Sequence, residues 1–338
     1  MKRRQRVLIT GAGGAAAPWL VRNFRAKGVQ VFMADMDAYA AGLYLADKGF
    51  VVPPGLSKDF VPVVRDICRH EGIDVLIPLV DEELIPLADA DLGDTRVLLP
   101  RLPFVSLCLD KYELMQQMRA QGLDVPATRL ASEGPGDLRY PLIMKPRTGR
   151  GSRGLHRVQT KAELDGILAD PSCNPGEYLL QEQAQGVEFT VSVVAWRDGA
   201  VQAVVPKEII CKRGITKLAV TRSNKAIEEA CAEIQHVLNA DGPFNVQLIL
   251  EAGTERVMVF EINPRFSTTT TLTAEAGVDE MYGLFLQALQ GPQGFEFGPW
   301  REGVVLVART MDQFMSEHDF LQARPIEDIG SLRSDHSR

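Results

Sequence analysis

Strand and helix patterns alternate along residues 6–100, and this alternation restricts the fold more than any other feature of the sequence. Short apolar runs such as RVLIT, VQVFMAD and DVLIPLV are separated by longer amphipathic stretches such as AAPWLVRNFRAKG and DFVPVVRDICRHEG, which end at glycines. Short buried strands between helices indicate parallel βαβ units and a doubly wound sheet. We therefore predict an α/β domain that ends near Pro103.

The rest of the chain has a different pattern, in which strands follow one another more closely. The runs EYLLQEQ, EFTVSVVAW, AVQAVVPKEII and ITKLAV predict successive, largely antiparallel strands, and NVQLILEA and RVMVFEINP predict a hairpin. The stretch LDKYELMQQMRAQGL predicts a helix that Asp110 caps and Gly122 ends. This mixture predicts an α+β unit after the first domain.

Charge and cysteine usage disfavour several classes of function. The net charge of -7 argues against nucleic acids and anionic membranes as partners. The 5 cysteines are scattered without a CxxC pair, which indicates free thiols in a reducing compartment rather than a zinc site or disulfides. No apolar run approaches the ~18 residues of a membrane span. Because GAGG interrupts the apolar part of the N-terminus, we expect no signal peptide and predict a cytoplasmic location.

A glycine-rich turn, ITGAGGAAA, follows the first predicted strand. Gly11, Gly13 and Ala16 fit the pattern G-x-G-x-x-A, and Asp35 ends the next strand, near where a ribose-binding acid would lie. An NAD(P) site is therefore one interpretation. The others are a tight turn that needs glycine for steric reasons, and a turn that binds a different ligand at the helix N-terminus.

A second glycine-rich segment, LIMKPRTGRGSRG, begins as a strand and carries Lys145 into a basic loop. Glycines let successive backbone N–H groups approach a polyphosphate, and lysine adds a point charge. Because the lysine precedes the glycines and another strand follows them, the pattern differs from a Walker loop and predicts a flap that covers phosphates. The alternative is a basic hairpin tip in solvent. The candidate flap residues are Gly149, Gly151, Ser152 and Gly154.

Two glutamates flank the turn in YLLQEQAQGVEFTV. Backbone groups of Glu182, Gln183 and Ala184 are candidates to bind an adenine edge, and Glu188 is a candidate to bind ribose hydroxyls. The alternative is that both carboxylates are merely solvated.

The run VFEINPRFSTTTT carries Glu261, Asn263 and Arg265 at alternate positions, which share one face of a strand. On the partner strand of the hairpin, Gln247 would lie across from Glu261. Carboxylate and amide oxygens are ligands that Mg²⁺ prefers, and Arg265 would neutralise charge on a transferring phosphoryl group. The alternative is an exposed Glu–Arg pair of little consequence.

Hydroxyl-bearing residues follow this strand directly. They are candidates to bind a small polar acid, although a Thr-rich helix cap explains the run equally well. The candidate acceptor residues are Ser267, Thr268 and Thr269. Three basic residues between the turn and the metal-binding strands are further candidates for phosphate or acceptor contacts: Lys207, Arg213 and Lys217.

These motifs, in this order, resemble the ATP-grasp superfamily, and most of all stand-alone proteins similar to one half of the carbamoyl-phosphate synthetase large subunit. The resemblance covers nearly the whole chain and rests mainly on IMKPRTGRGSRG, QEQAQGVEFTV and VFEINPRFS. It implies a doubly wound pre-ATP-grasp domain followed by a two-lobed ATP-grasp domain. The implied ranges are 1–103 for the first domain, 104–310 for the second with lobes at about 124–184 and 185–310, and 311–338 for a partly flexible C-terminal extension.

The resemblance also assigns roles by position. Nucleotide contacts fall to Lys111, Lys145, Gly149–Gly154, Glu182–Ala184 and Glu188. One or two Mg²⁺ ions, which Mn²⁺ could replace, would be held by Gln247, Glu261 and Asn263. Many family members have an acidic residue at the position of Gln247. Catalysis falls to Arg265, which would steady an acyl-phosphate, and to Lys145.

The implied reaction has two steps: ATP phosphorylates a small-molecule carboxylate, and an amine then displaces phosphate from the acyl-phosphate. Because the chain has one grasp unit and no glutaminase-like segment, the full carbamoyl-phosphate reaction is not expected. Gly11 and Gly13 become candidates to bind the acceptor. A carboxyphosphate-forming enzyme, a nucleotide-binding regulatory protein without turnover and an NAD(P)-dependent enzyme stay open as alternatives. A homodimer is expected on the resemblance alone.

Overall fold

The computed structural model describes residues 3–149, 151, 153–308 and 312–327. Its first part contains a parallel sheet of β1 (Arg6–Thr10), β2 (Gln30–Asp35), β3 (Lys48–Val51), β4 (Val75–Ile77) and β5 (Arg96–Val97). The strands lie in the order β3-β2-β1-β4-β5, so the direction of winding reverses between β1 and β4. The predicted doubly wound sheet is therefore present, and its switch point lies beside the GAGG turn.

The helices of this part are α1 (Ala17–Ala26), α2 (Ala41–Leu45), α3 (Phe60–Glu71), α4 (Asp81–Ala88) and α5 (Leu102–Leu109). Helix α3 ends at Gly72, whose φ of 57° is a left-handed conformation that glycine adopts without strain. Helices α2 and α5 were not predicted. Pro103, expected to end the first domain, lies in the first turn of α5, where proline is compatible with a helix. The domain boundary itself stays a prediction.

A small antiparallel sheet has the order β6-β9-β7-β8. Its strands are β6 (Thr128–Leu130), β7 (Leu142–Pro146), β8 (His156–Val158) and β9 (Tyr178–Glu182). Helix α6 (Lys111–Ala120) precedes it, and α7 (Lys161–Leu168) packs against it through Leu164. As predicted, Asp110 caps α6, because its carboxylate accepts hydrogen bonds from the backbone N–H groups of Tyr112 and Glu113. The glycine-rich loop joins β7 to β8, and Arg150 and Ser152 in it lie outside the described residues.

A larger sheet has the order β14-β13-β10-β11-β12-β15. Its strands are β10 (Gly186–Trp196), β11 (Ala200–Arg213), β12 (Ile215–Thr221), β13 (Phe244–Glu251), β14 (Val257–Asn263) and β15 (Val305–Val307). Strands β9 to β12 follow one another along the chain with antiparallel pairings, as predicted, and β9 belongs to the small sheet. The chain changes sheet before Gly186, where a Cβ atom would lie 2.1 Å from the carbonyl oxygen of Leu250.

The helices of the larger lobe are α8 (Lys225–Val237), α9 (Thr270–Glu275) and α10 (Glu280–Gln290). Helix α10 packs on the first domain, because Phe24 of α1 contacts Phe285 and Tyr282 edge-on with ring centroids 5.6 and 5.9 Å apart. Both parts thus share one hydrophobic cluster. Aromatic burial of this kind favours a fixed arrangement of the two parts.

The expected C-terminal extension is described over residues 312–327, and residues 311 and 328–338 lie outside the described residues. Its helix is α11 (Glu317–Gln322). Ile326 bridges to Phe50 at the edge of the first sheet, and Phe320 stacks on Tyr44 with ring centroids 5.1 Å apart. Within the described part of the chain, no helix has the length and apolar character to span a membrane.

Candidate active site

The hairpin of β13 and β14 brings four oxygen-bearing side chains to one face. Gln247 pairs with Glu261, as predicted, and Asn245 pairs with Asn263. The register shifts after Gln247, so that Phe260 forms a bulge and the alternation of side chains restarts at Glu261. Asn245 was not predicted, although its spacing of two residues from Gln247 was a usable signal.

This face suits a divalent cation with hard oxygen ligands. The carboxylate of Glu261 and the amide of Asn263 form no hydrogen bond with any residue in the described ranges. The same ranges contain no group of three or more His, Cys, Asp or Glu residues that could hold a metal by themselves. The residues therefore fit Mg²⁺ only together with a ligand that brings its own negative oxygens, such as a polyphosphate.

Lys145, at the end of β7, approaches this face from the small lobe. Its side chain is buried with 6% exposure, and Nζ donates to Oε1 of Gln181 at 2.9 Å and to the carbonyl oxygen of Phe260 at 3.1 Å. Burial lowers the pKa of Lys145 to about 8, Glu261 raises it, and Lys111 and Lys212 lower it further. Two ammonium groups and one carboxylate thus act on Lys145 here, and added negative charge would stabilise its ammonium form.

Lys111 is the first residue of α6 and connects the helix to the flap. Its Nζ donates to the carbonyl oxygen of Gly149 at 2.7 Å, and its backbone N–H donates to the carbonyl oxygen of Arg147 at 2.9 Å. Gly149 and Gly151 have φ values of 105° and 69°, which favour glycine. A Cβ atom at either position would meet nothing within 4 Å, so the glycines serve backbone conformation rather than close packing.

Lys212 of β11 is a site residue that the sequence analysis missed. Its Nζ donates to Oε1 of Glu188 at 2.7 Å and to Oε1 of Gln247 at 3.2 Å, which joins the predicted ribose ligand to the predicted metal face. Two register shifts between β11 and β12, near Cys211, change which side chains share a face. Alternation alone therefore could not identify Lys212.

The predicted adenine-binding turn joins the two sheets. The Glu182 carboxylate accepts hydrogen bonds from the backbone and guanidinium of Arg139, and these bonds lower its pKa. The backbone N–H groups of Glu182 and Gln183 donate to Ala127 and Pro141. Ala184 makes no backbone hydrogen bond with the residues that the structure describes, so its N–H and C=O are available to a ligand.

Arg265 follows β14 and extends toward the first domain. Its Nε donates to Oδ1 of Asp81, the first residue of α4, and its Nη1 donates to the carbonyl oxygen of Phe266 at 3.2 Å. The Arg265 and Asp81 side chains are 12% and 10% exposed. Asp81 was not predicted, because only the packing of the two domains brings it to Arg265.

The predicted acceptor hydroxyls lie mostly inward. Thr268 is exposed, whereas Ser267 and Thr269 are buried and their hydroxyl oxygens are 2.8 Å apart. Behind them, the fully buried Lys207 donates to the hydroxyls of Ser192 at 2.6 Å and Thr273 at 2.8 Å. Lys207 and Gln247 both pair with Thr190 and so share one face of the sheet, but Nζ of Lys207 is engaged beneath α9. A contact of Lys207 with phosphate or acceptor stays a prediction.

Glu280 completes this buried cluster, because the Ser192 hydroxyl donates to its Oε1 at 3.0 Å. Burial lowers the pKa of Lys207 to about 8 and raises the pKa of Glu280. The run of threonines therefore helps to hold α9 on the sheet.

The GAGG turn has little hydrogen-bonding capacity left for a ligand. The N–H groups of Ala12 and Gly14 donate to the carbonyl oxygens of Ala34 and Gly11 at 3.3 and 2.9 Å, and that of Gly13 donates to Oδ2 of Asp35 at 2.8 Å. The protein's own carboxylate thus occupies a donor that a pyrophosphate would need. This geometry favours the steric interpretation of the turn over an NAD(P) site.

Comparison with known proteins agrees with this arrangement. The sequence matches the family described as "ATP-grasp domain" over residues 108–269, and the family described as "PylC-like, N-terminal domain" over residues 7–95. The chain thus contains an ATP-grasp domain, preceded by a PylC-like N-terminal domain. The predicted family and fold class are therefore confirmed.

Curated relatives of this ATP-grasp chain include the carbamoyl phosphate synthase large chain of Clavibacter michiganensis subsp. michiganensis (strain NCPPB 382). The two are 25% identical over 312 residues, which are 80% of this chain and 28% of that protein. The chain is similarly matched to the arginine-specific large chain of Bacillus subtilis (strain 168), at 22% identity over 56% of this chain and 19% of the other. It therefore spans less than a third of these relatives.

Solved structures share the fold of this ATP-grasp chain. A carboxyaminoimidazole ribonucleotide synthase from Asperigillus clavatus, complexed with ATP, has a TM-score of 0.70 at 18% identity, covering 87% of this chain and 80% of that one. An L-amino acid ligase from Bacillus licheniformis has a TM-score of 0.68 at 18% identity, covering 88% and 78%. At this identity the likeness concerns the fold alone.

Proposed function

We propose that this ATP-grasp protein is an ADP-forming ligase that activates a small-molecule carboxylate as an acyl-phosphate and couples it to an amine. The observation that carries the proposal is that Lys145 and Lys212 reach the hairpin of β13 and β14, where they donate to the carbonyl oxygen of Phe260 and to Oε1 of Gln247. The charges of Glu261 and Lys111 also act on Lys145. Lysines from two lobes near one carboxylate would bind a polyphosphate, and the polyphosphate and the carboxylate would together ligate a divalent metal ion.

The nucleotide would lie between the small and large sheets. Ala184 offers a free backbone N–H and C=O to the adenine edge, beside Glu182 and Gln183. The Glu188 carboxylate would accept hydrogen bonds from the ribose hydroxyls while it still accepts one from Lys212. The phosphates would contact Lys111 and Lys145 under the flap, which also carries Gly149, Gly151, Ser152 and Gly154.

Glu261 and Asn263 would ligate one or two Mg²⁺ ions, or Mn²⁺, with Gln247 as a neutral third ligand. A bound divalent ion supplies charge neutralisation between the phosphates. With only one carboxylate in the set, we expect weaker metal binding than a site with two acids would give.

In the first step, a carboxylate oxygen of the acceptor attacks the γ-phosphorus, the bond to the bridging oxygen breaks, and ADP leaves. In the second step, an amine nitrogen attacks the acyl carbon, the C–O bond to the phosphate breaks, inorganic phosphate leaves, and the nitrogen loses a proton. Lys145 and Arg265 neutralise charge on the phosphoryl oxygens through both steps. Positioning supplies the remaining acceleration.

The acceptor would bind between Arg265, the start of α9 and the first domain. Among Ser267, Thr268 and Thr269, the exposed Thr268 is the best placed to bind the acceptor. Gly11 and Gly13 would only line the acceptor pocket, since the N–H of Gly13 already donates to Asp35. We further propose a cytoplasmic protein with small-molecule substrates, without nucleic-acid or membrane partners, and with a homodimeric assembly.

The test is ADP and phosphate release from MgATP across a matrix of amino acids, other small carboxylic acids and amines, with Arg265→Ala as the control. Release that needs one acid together with one amine, and that the variant loses, supports the ligase. ADP formation with no acid or amine dependence contradicts it.

A carboxyphosphate-forming enzyme is the second candidate, because the curated relatives are carbamoyl phosphate synthases. Turnover with bicarbonate alone would favour it. Tight MgATP binding without turnover under any condition would favour a regulatory module instead.

A further inference from the structure

Two of the three guanidinium nitrogens of Arg265 donate to protein oxygens in the described part of the chain, and the third does not. Its Nε donates to Asp81 and its Nη1 to the carbonyl oxygen of Phe266, whereas Nη2 donates to none of the residues in the described ranges. A guanidinium binds phosphate or carboxylate through a pair of N–H groups. The contact at Nε therefore leaves the terminal Nη2 end for an oxyanion.

Asp81 is itself fixed by the first sheet. It begins α4, directly after β4, and the positive end of the helix dipole stabilises its carboxylate. The segment before it is anchored to β1, because Thr10 accepts a hydrogen bond from the N–H of Leu79 at 3.2 Å and donates to Glu83. A Cβ atom on Gly11 would lie 3.1 Å from Val80, so this corner is closely packed.

We propose that Asp81 is a positioning residue that orients Arg265 for the phosphoryl group, so that the first domain contributes to the reaction through this ion pair. The inference rests on the proposed function, in which Arg265 neutralises the phosphoryl oxygens. An arginine without this partner would sample several rotamers, and ordering it would weaken each phosphate contact. Asp81 acts through Arg265 and makes no contact with the nucleotide.

The experiment measures binding of MgADP by calorimetry, and then binding of inorganic phosphate to the MgADP-loaded protein by equilibrium dialysis. The variants are Asp81→Ala, Asp81→Asn, Arg265→Ala and the double variant Asp81→Ala/Arg265→Ala. Lys27→Ala is the matched control, because Lys27 joins the domains through a 2.8 Å ion pair with Asp279, a residue that the proposed nucleotide site does not include. Thermal unfolding checks that each variant is folded.

We expect Asp81→Ala to weaken phosphate binding by about tenfold or more, the scale of a charge-assisted hydrogen bond, and to change MgADP affinity by less than about twofold. Asp81→Asn should weaken phosphate binding less than Asp81→Ala does, since its amide oxygen can still accept a hydrogen bond from Nε of Arg265. In the Arg265→Ala background, removing Asp81 should have no further effect, and Lys27→Ala should bind phosphate normally.

Unchanged phosphate affinity in Asp81→Ala would overturn the inference while leaving the proposed function intact, provided MgADP binds and Arg265→Ala weakens phosphate. A further loss from Asp81→Ala in the Arg265→Ala background would also overturn it, because Asp81 would then act independently of Arg265. Failure of the wild-type protein to bind MgADP would overturn the proposed function, and the inference with it.

Discussion

Binding of ATP should draw a proton onto Lys145, and this linkage can be measured without knowing the acceptor. Burial is the main cause that lowers the pKa of this lysine to about 8 from 10.5. The difference corresponds to about 3 kcal/mol for keeping the ammonium charged in the empty site, as an order of magnitude. Triphosphate oxygens beside Nζ would offset that cost and raise the pKa again.

The sign and size of the effect follow from the pKa of about 8. Near pH 6.5 Lys145 is charged before and after binding, so uptake is near zero. At pH 8 about half of the free protein has a neutral Lys145, so binding takes up about half a proton. Between pH 8 and 9 the apparent Kd for MgATP should rise about fivefold, because only the charged form binds well.

The assay is calorimetry of MgATP binding in buffers of different ionisation enthalpy. Lys145→Arg should abolish the uptake, since arginine stays charged throughout this range. Lys207→Met is the matched control, because Lys207 has the same pKa of about 8 but lies in the buried cluster with Ser192 and Thr273. Equal proton uptake in wild type and Lys145→Arg, or loss of uptake in Lys207→Met alone, would refute the reasoning.

Three further substitutions test other parts of the account. Gln247→Glu adds a carboxylate across from Glu261 and should lower the Mg²⁺ concentration for half-maximal ATP binding by about tenfold; an unchanged requirement would mean that this position does not meet the metal. Lys207→Met leaves Glu280 buried without a cation and should reduce the free energy of unfolding in urea by about 3 kcal/mol. A further reduction of that free energy on adding Glu280→Leu would contradict this explanation. Arg139→Ala removes a side chain that is 86% exposed and should leave the midpoint of urea unfolding nearly unchanged, so a clear drop in that midpoint would reveal a role beyond a surface ion pair.

Sequence patterns were sufficient for features that depend on local periodicity. The alternation of strands and helices predicted the parallel sheet, and turn residues predicted the hairpin that pairs Gln247 with Glu261. The cap at Asp110 was equally local. Such features need only neighbouring residues, which is why a single sequence contains them.

Features that depend on irregular pairing or on burial were not predictable in the same way. Lys212 faces the site because β11 is irregular near Cys211, and no residue pattern specifies those shifts. Asp81 meets Arg265 only after the two domains pack. The inward hydroxyl of Thr273 accepts from the buried Lys207 beneath α9, and no local pattern in the sequence specifies that contact.

The central claim is that a carboxylate is activated as an acyl-phosphate, and transfer of ¹⁸O tests it most directly. The acid that supports ADP release would be labelled with ¹⁸O in its carboxylate and incubated with unlabelled MgATP and the amine. We expect one ¹⁸O atom in the released phosphate, because the acyl C–O bond breaks in the second step. Phosphate that carries no ¹⁸O while the amide product accumulates would contradict it.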